Sequence, residues 1–390
     1  MTDRDWADLA RSLTHRLRDA GDIVDPRWFD AFAETPRHRF VPRFRLTTDG
    51  PEYSSDGSKE QWLAEAYSDK PLTTQTKPHP DGLATVDGLP FQIPTSSSTG
   101  PGLMARMLES LDVREGHRVL EIGTGTGYNA ALLCHRLEAD NVVTIDLDAN
   151  LVELARGRLS EVGYQPVLLV GDGALGAAEY GPFDRIIATA AVADIPKAWI
   201  DQLADNGKII ANLRGELSTG AVSVLSRQAG ASELVGRFVA LGGHFMWSRT
   251  SVDNPLRSHQ TPPSHRGARV FHGRTALDPA ALIADDQFMF LLQLQLTGAE
   301  SFYAVDGTAT LVTSDGARAE VSLRPDADGY RHVVQYRSRR IWDTVEVTAQ
   351  LAADLGGLSL SRFGITATQV VQFVWLDSAD GEYRWPLPFV

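Results

Sequence analysis

An α/β architecture, with a largely parallel sheet covered by helices on both faces, follows from three observations. Short apolar runs rich in β-branched residues recur at Val119 to Ile122, Val142 to Asp146, Val167 to Val170 and Phe183 to Ala191. Stretches of helical character separate them, and the first run breaks into a glycine-rich turn, Gly123-Thr124-Gly125-Thr126-Gly127. Strands that alternate with helices pair in parallel, because each return needs a crossover and the crossovers bring helices to both faces. Ligands in such sheets sit beyond the carboxyl ends of the strands.

The elements follow in order. Met1 to Arg18 places Trp6, Leu9, Leu13 and Leu17 among Asp3, Arg4, Asp5 and Asp8, an amphipathic helix without the apolar run of a secretory signal. Pro101 opens a helix to Leu111, and the Ser96-Ser97-Ser98-Thr99 run before it reads either as a cap for that helix or as a row of hydroxyls beside a ligand. Val119 to Ile122 is a buried strand, Tyr128 to Leu137 a helix, and the glycines between them let backbone approach a ligand closely.

Glycine spacing narrows the ligand. A nicotinamide fingerprint runs G-x-G-x-x-G, whereas here the pattern is G-x-G-x-G with Glu121 two residues ahead, which suits S-adenosylmethionine better. Asp146 ends the second strand about 20 residues further on, where a carboxylate accepts both ribose hydroxyls; Leu147 adjoins it, and Asp148 is the alternative. Gly171-Asp172-Gly173 would bring a carboxylate and bare backbone to the adenine edge, and Thr189-Ala190 small residues to the cofactor's side.

Composition excludes several classes. A formal net charge of -13 argues against a general nucleic-acid binder, which needs a basic footprint. One cysteine, Cys134, forms no intrachain disulfide and reads as a small buried hydrophobe. The ten histidines have no ligand spacing, and His244, His265 and His272 read as loop residues, so no metal is implied. With no transmembrane segment in the pattern, the expectation is a cytoplasmic enzyme that does not engage a membrane.

The run from Glu121 through Asp172-Gly173 to Thr189-Ala190-Ala191, then Gln202 to Lys208, resembles the protein L-isoaspartate O-methyltransferase family. Arg39-Phe40-Val41-Pro42 and Ala66-Tyr67-Ser68-Asp69-Lys70-Pro71-Leu72 resemble the family's upstream segments, so that the likeness covers roughly residues 30 to 250. It implies a Rossmann-like class I methyltransferase fold and S-adenosyl-L-methionine as cofactor, with S-adenosyl-L-homocysteine as product. The implied cofactor residues are Glu121, Gly123, Thr124, Gly125, Gly127, Tyr128, Asp146, Leu147, Gly171, Asp172, Gly173, Thr189 and Ala190. The family's hydroxyl two residues before a helix-opening proline maps onto Thr99, with Ser98 sharing the role and Ser96, Ser97 and Tyr67 on the substrate side. Two departures stand out: Thr73 to Pro94 is inserted, and Gly100 replaces the usual Gln or Ala. A carboxylate, with a reference pKa of about 4, is already a nucleophile at neutral pH, so hydroxyls that align it suffice.

Beyond the likeness, Ser251 to Gly267 reads as a linker and the remainder as an α+β module. Its expected elements are a helix from Asp278 to Leu296, strands at Ser301 to Val305, Thr308 to Thr313, Ala317 to Leu323 and Tyr330 to Arg337, a helix from Trp342 to Leu355 and a strand from Val370 to Leu376. Arg331, Arg337, Arg339 and Arg340 cluster around Tyr330, Tyr336 and Trp342, and Arg337, Arg339 and Arg340 are its candidate site for an acidic peptide, against the plainer reading of a solvated strand end. The expected division is 1–80 as an N-terminal helical, substrate-side segment, 81–250 as the methyltransferase, 251–267 as linker and 268–390 as a peptide-recognition domain. Such an extension resembles the aspartate O-methyltransferases that accompany graspetide or lanthipeptide biosynthesis. That likeness implies a modified precursor peptide as partner and an aspartate esterified on its way to aspartimide and isoaspartate. Isoaspartyl repair is the alternative, and a peptide-binding scaffold without catalysis is the reading from another class.

Overall fold

The computed structural model describes residues 5–79, 90–217, 220–241, 243, 245–251 and 269–388. The chain starts with α1 (Asp5–Asp19), α2 (Pro26–Glu34) and α3 (Arg37–Phe40), then β1 (Arg43–Arg45), β2 (Glu52–Ser54) and α4 (Lys59–Ala66). A hairpin of β3 (Leu72–Pro78) and β4 (Gln92–Ser98) follows and leads into α5 (Pro101–Leu111). Strands β1 to β4 form a small sheet in the order β2-β1-β3-β4. The inserted residues are therefore two paired strands rather than loop, and their connection at 80–89 lies outside the described residues.

The central unit continues with β5 (Val119–Ile122), α6 (Tyr128–Arg136), β6 (Val142–Asp146), α7 (Ala149–Glu161), β7 (Val167–Val170), β8 (Phe183–Val192), α8 (Lys197–Gln202) and β9 (Leu203–Leu213). The order β7-β6-β5-β8-β9 is parallel throughout and reverses direction between β5 and β8, where ligands of open α/β sheets bind. This is the class I methyltransferase fold. One sheet face packs against α1, α2, α5, α6 and α7 through residues such as Leu13, Leu108, Leu133 and Leu159, all buried.

The sheet does not stop at β9. It runs on in antiparallel pairing through β10 (Ala221–Arg227) and β11 (Leu234–Leu241), so that it is parallel in one half and antiparallel in the other. After residue 269 come β12 (Val270–Thr275), α9 (Pro279–Ala284), α10 (Asp286–Gln295), β13 (Ala299–Val305), β14 (Thr308–Thr313), β15 (Arg318–Ser322), β16 (Arg331–Tyr336) and α11 (Ile341–Asp354). The five strands form a separate antiparallel sheet in the order β12-β16-β15-β14-β13. The expected single helix over 278–296 is two, because the Asp285 side chain caps α10 by accepting from Gln287 N and Phe288 N at 3.0 Å.

The final strands, β17 (Phe363–Ala367), β18 (Gln372–Leu376) and β19 (Arg384–Pro386), return to the central sheet and extend it beyond β11 to ten strands. The expected boundary at 268 is corrected by this return, since residues 363–386 complete the sheet begun at 119. The linker assigned to 251–267 lies outside the described residues apart from Ser251.

Helix α10 is shared between the two sheets. Phe290, Leu291 and Leu294 face the ten-stranded sheet, while Phe288, Met289 and Leu292 face the five-stranded one. The Phe290 ring is 1% exposed and meets Phe238 of β11 and Phe363 of β17 edge-on, at 5.2 and 5.4 Å. A chain ended after residue 269 would lose both α10 and β17, uncovering Leu234 and Phe238. We expect that truncation to unfold cooperatively at markedly lower temperature or to aggregate. Phe290→Ala in the full chain should cost about 3–5 kcal/mol in urea unfolding; a soluble truncation as stable as the full chain would show the sheet to be independent of its extension.

Candidate functional site

A cavity of about 510 Å³ opens at the β5/β8 switch point and is lined by the glycine turn, β4 with Thr99, the ends of β6 and β8, and residues 245–249. Gly123 and Gly125 have φ of +95° and +51°, a left-handed conformation in which side chains are strained, and a Cβ on Gly123 would come within 2.7 Å of Thr189 Oγ1. That hydroxyl donates to Gly123 O at 2.8 Å, fixing β8 against the turn. Gly127 serves packing instead. It does not line the cavity, and a Cβ there would press on Ala155 Cβ at 3.1 Å.

Glu121 is fully buried beneath the turn. Its Oε1 accepts from Asn129 Nδ2 at 2.7 Å and its Oε2 from Thr144 Oγ1 at 2.6 Å, tying β5 to α6 and β6. Burial pushes its carboxyl up to about 7 against those two hydrogen bonds, with the Asp146 charge adding to the rise. Asp146 Oδ2 accepts from Gly125 N at 2.8 Å and Oδ1 from Asp148 N at 3.1 Å. Burial raises this carboxyl too, offset by those N–H groups and by Arg249. Each oxygen keeps acceptor capacity for a ribose hydroxyl. Asp148 is spent as the cap of α7, accepting from Asn150 N at 2.9 Å.

The hydroxyl run is not a helix cap. Gly100 is the N-cap of α5 without a side-chain bond, and Asp69 Oδ1 accepts from Gly102 N at 2.7 Å. Ser96 to Ser98 are strand residues of β4, and with Thr99 they line the cavity. Ser97 O would lie 3.7 Å from a Cβ on Gly125, so the hydroxyl strand and the glycine turn face each other closely.

Sequence reasoning missed the residue beneath them, Arg37. It is fully buried, and its guanidinium donates to Ala66 O and Ser68 O at 2.9 Å, Lys70 O at 3.1 Å, Thr99 O at 3.2 Å and Ser98 Oγ at 3.4 Å. Burial lowers its pKa to about 10, which leaves it charged at neutral pH. Nothing in the Arg37-His38-Arg39 run marks the first cation as the buried one. Arg249, also missed, lines the cavity and donates through Nη2 to Thr95 O at 3.1 Å.

Other expected site residues lie elsewhere. Gly171 and Asp172 are outside the cavity lining, and Asp172 caps a short turn through Ala174 N at 2.9 Å; Gly173, Leu147, Thr124, Tyr128 and Ala190 do line it. Tyr67 is a core residue, 3% exposed, with its hydroxyl 2.7 Å from His38 Nδ1. Arg337, Arg339 and Arg340 do not reach the cavity. Arg337 donates to Asp315 O at 3.0 Å, Arg339 to Thr297 O at 2.7 Å, and Arg340 pairs with Asp343, so their module's own acceptors hold them. His272 belongs to β12 and stacks on His332, not to a loop; His244 and His265 lie outside the described residues. Cys134 is buried, and burial pushes its thiol up. Among the described residues no helix is long and apolar enough to cross a membrane.

The residues fit S-adenosylmethionine. Asp146 suits its ribose, Leu147 and Leu151 offer apolar surface to a base, and the Asn129 Oδ1, buried without a partner, suits an ammonium donor.

Several known proteins resemble this chain. The sequence profile of "Protein-L-isoaspartate(D-aspartate) O-methyltransferase" matches residues 55–237. Protein-L-isoaspartate O-methyltransferase 1 of Archaeoglobus fulgidus is 34% identical, over 62% of this chain and 96% of its own. The corresponding enzyme of Koribacter versatilis is 35% identical, over 61% of this chain and 91% of its own. A solved protein-L-isoaspartate O-methyltransferase structure aligns with 94% of this chain and 99% of its own at 21% identity and a TM-score of 0.49.

The Glu121 carboxyl titrates higher in the folded chain than in the unfolded one. Its contribution to stability is whole below about pH 4.5 and is lost as pH rises through about 7. Wild type should therefore lose roughly 2 to 3 kcal/mol relative to Glu121→Gln between pH 5 and pH 8, measured by urea unfolding. A difference between the two proteins that does not change with pH would mean that Glu121 is ionised throughout.

Proposed function

This chain belongs to the protein-L-isoaspartate(D-aspartate) O-methyltransferase family, S-adenosylmethionine-dependent carboxyl methyltransferases, and we propose that it esterifies the free carboxylate of an isoaspartyl residue in a peptide or protein. The observation that carries this reading is the juxtaposition of the Ser98 and Thr99 strand end with the glycine turn in one cavity. When bound there, the cofactor supplies an electrophilic methyl group on a sulfonium. Asp146 would hold the ribose hydroxyls and Asn129 Oδ1 the ammonium. Thr99, assisted by Ser98, would donate a hydrogen bond to one oxygen of the acceptor carboxylate and so aim the other. A new O–CH3 bond forms as the S–CH3 bond breaks, and no proton has to move, which accounts for a site built from hydroxyls rather than a general base.

A second reading is esterification of an ordinary aspartate in a constrained, ribosomally made peptide, leading to aspartimide and, on hydrolysis, isoaspartate. It rests on the part of this chain beyond the alignments with the two relatives, which cover 62% and 61% of it. The arginine cluster no longer supports it, since internal partners hold those side chains. The names of the relatives favour the isoaspartyl reading.

Mass spectrometry separates the two. We expect a gain of one methyl on a short isoaspartyl peptide, then loss of methanol, and none on its aspartyl isomer. Turnover confined to a cyclised aspartyl peptide would establish the second reading instead. Thr99→Ala should lower kcat by about tenfold or more while S-adenosylhomocysteine affinity stays within about twofold. Unchanged turnover in Thr99→Ala and in the double variant with Ser98→Ala would remove the hydroxyls from the mechanism.

A further inference from the structure

Two cationic side chains line the cavity among the described residues, Arg106 and Arg249. Arg106 is accounted for: it donates to Asp22 Oδ1 at 2.7 Å, and its side chain is half exposed. Arg249 is only half accounted for. Its Nη2 is fixed by Thr95 O on the β4 arm, while its Nη1 is buried with no hydrogen-bond partner. Charged N–H groups removed from water are seldom left without an acceptor, because the lost hydration is uncompensated. Asp146 is not that acceptor. It makes no ion pair with Arg249 among the described residues, and Arg249 Nη1 has no hydrogen-bond partner.

We propose that Arg249 is the carboxylate-binding group of this cavity, with one edge of its guanidinium anchored to the β4 arm and the other presented to an anionic ligand oxygen. The inference rests on reading the cavity as a cofactor and peptide site. A planar guanidinium suits the task because its donors are set in a fixed fork, so that anchoring one nitrogen orients the next. Two carboxylates enter such a site, that of the cofactor's methionine moiety and that of the peptide. The shared chemistry is a charge-assisted N–H···O bond to carboxylate.

The test uses the full chain and equilibrium binding, so it answers whether or not either peptide is methylated. Arg249→Gln keeps an N–H for Thr95 O but removes the charge; Arg249→Lys keeps a charge. Calorimetry measures S-adenosylhomocysteine on each, then an isoaspartyl peptide on the S-adenosylhomocysteine complex. Arg249→Gln should weaken one of the two ligands by roughly 10- to 100-fold, with Arg249→Lys between it and wild type. A loss confined to S-adenosylhomocysteine identifies the cofactor's carboxylate, and a loss confined to the peptide identifies the acceptor's. Circular dichroism verifies folding. Should Arg249→Gln fail to fold, wild type is titrated with S-adenosylhomocysteine and with its decarboxylated form, and the peptide is titrated on Arg249→Lys. Both ligands within about twofold of wild type on folded Arg249→Gln overturn the proposal. So, in the fallback, do equal affinities for the two thioethers together with an unchanged peptide affinity.

Discussion

A guanidinium taken wholly out of water is tolerated only where most of its N–H groups find acceptors: Nε of Arg37 has none, and its two terminal nitrogens donate to the two segments that build the hydroxyl-lined side of the cavity. Ala66 O, Ser68 O and Lys70 O belong to the stretch after α4, whereas Thr99 O and Ser98 Oγ belong to the end of β4. No single hydrogen bond here is unusual. Their convergence on one buried cation is, because displacing either segment would strip some of a buried charge's N–H groups of their partners. The Arg37 guanidinium also lies 5.8 Å from the centre of the Tyr128 ring, at the start of α6, so that hydroxyl strand, upstream segment and glycine-turn helix meet around one side chain. The position of Thr99 is thereby set by burial 62 residues away in sequence.

The extension meets the cavity wall through contacts of a similar kind. Gln293 on α10 accepts from Leu217 N at 2.6 Å and lies against Gly215, where no side chain would fit. Arg214, next in the chain, donates to Phe245 O at 3.0 Å, and its guanidinium lies 5.4 Å from the centre of the Trp247 ring. On the other side Ala191 N and O bracket the same wall through Met246 O and Ser248 N, both at 2.8 Å. Phe245, Met246 and Trp247 line the cavity. The extension is thus a buttress of the site as well as an addition to the fold, since α10 and β17 pack on sheet residues such as Leu234 and Phe238.

Electrostatically the cavity is quieter than the net charge of -13 suggests. Glu121, pushed up to about 7, is largely protonated on the acid side of neutrality, and Asp146 has its charge distributed over two backbone N–H groups with Arg249 nearby. Such an arrangement suits a reaction between a cation and an anion that ends in neutral products.

Much of this was legible in the sequence. The strand runs at 119–122, 142–146 and 167–170, the glycine turn, the acid at Asp146 and the helix from Pro101 are local patterns, because periodicity and backbone freedom depend on near neighbours. The helix and most strands of the 270–354 module were legible for the same reason. What tertiary structure alone decided is which partners those elements choose. Gly364 obscures β17, and that glycine is there because the Trp375 ring of the adjacent strand lies over it. Tyr67 has the residue type of a ligand contact, yet it is a core residue whose hydroxyl lies against His38. The arginines of the module looked like a reading head because sequence shows cations and not the carbonyls and acids that fold back onto them. Conversely, Arg37 and Arg249 carry no local signal, since burial and the pairing of a guanidinium are properties of surroundings brought together across the chain. Sequence alone determined the strands and the glycine turn at the floor of the cavity; how the hydroxyl-bearing end of β4 sits against them was decided by long-range hydrogen bonds to a buried cation, which no local pattern encodes.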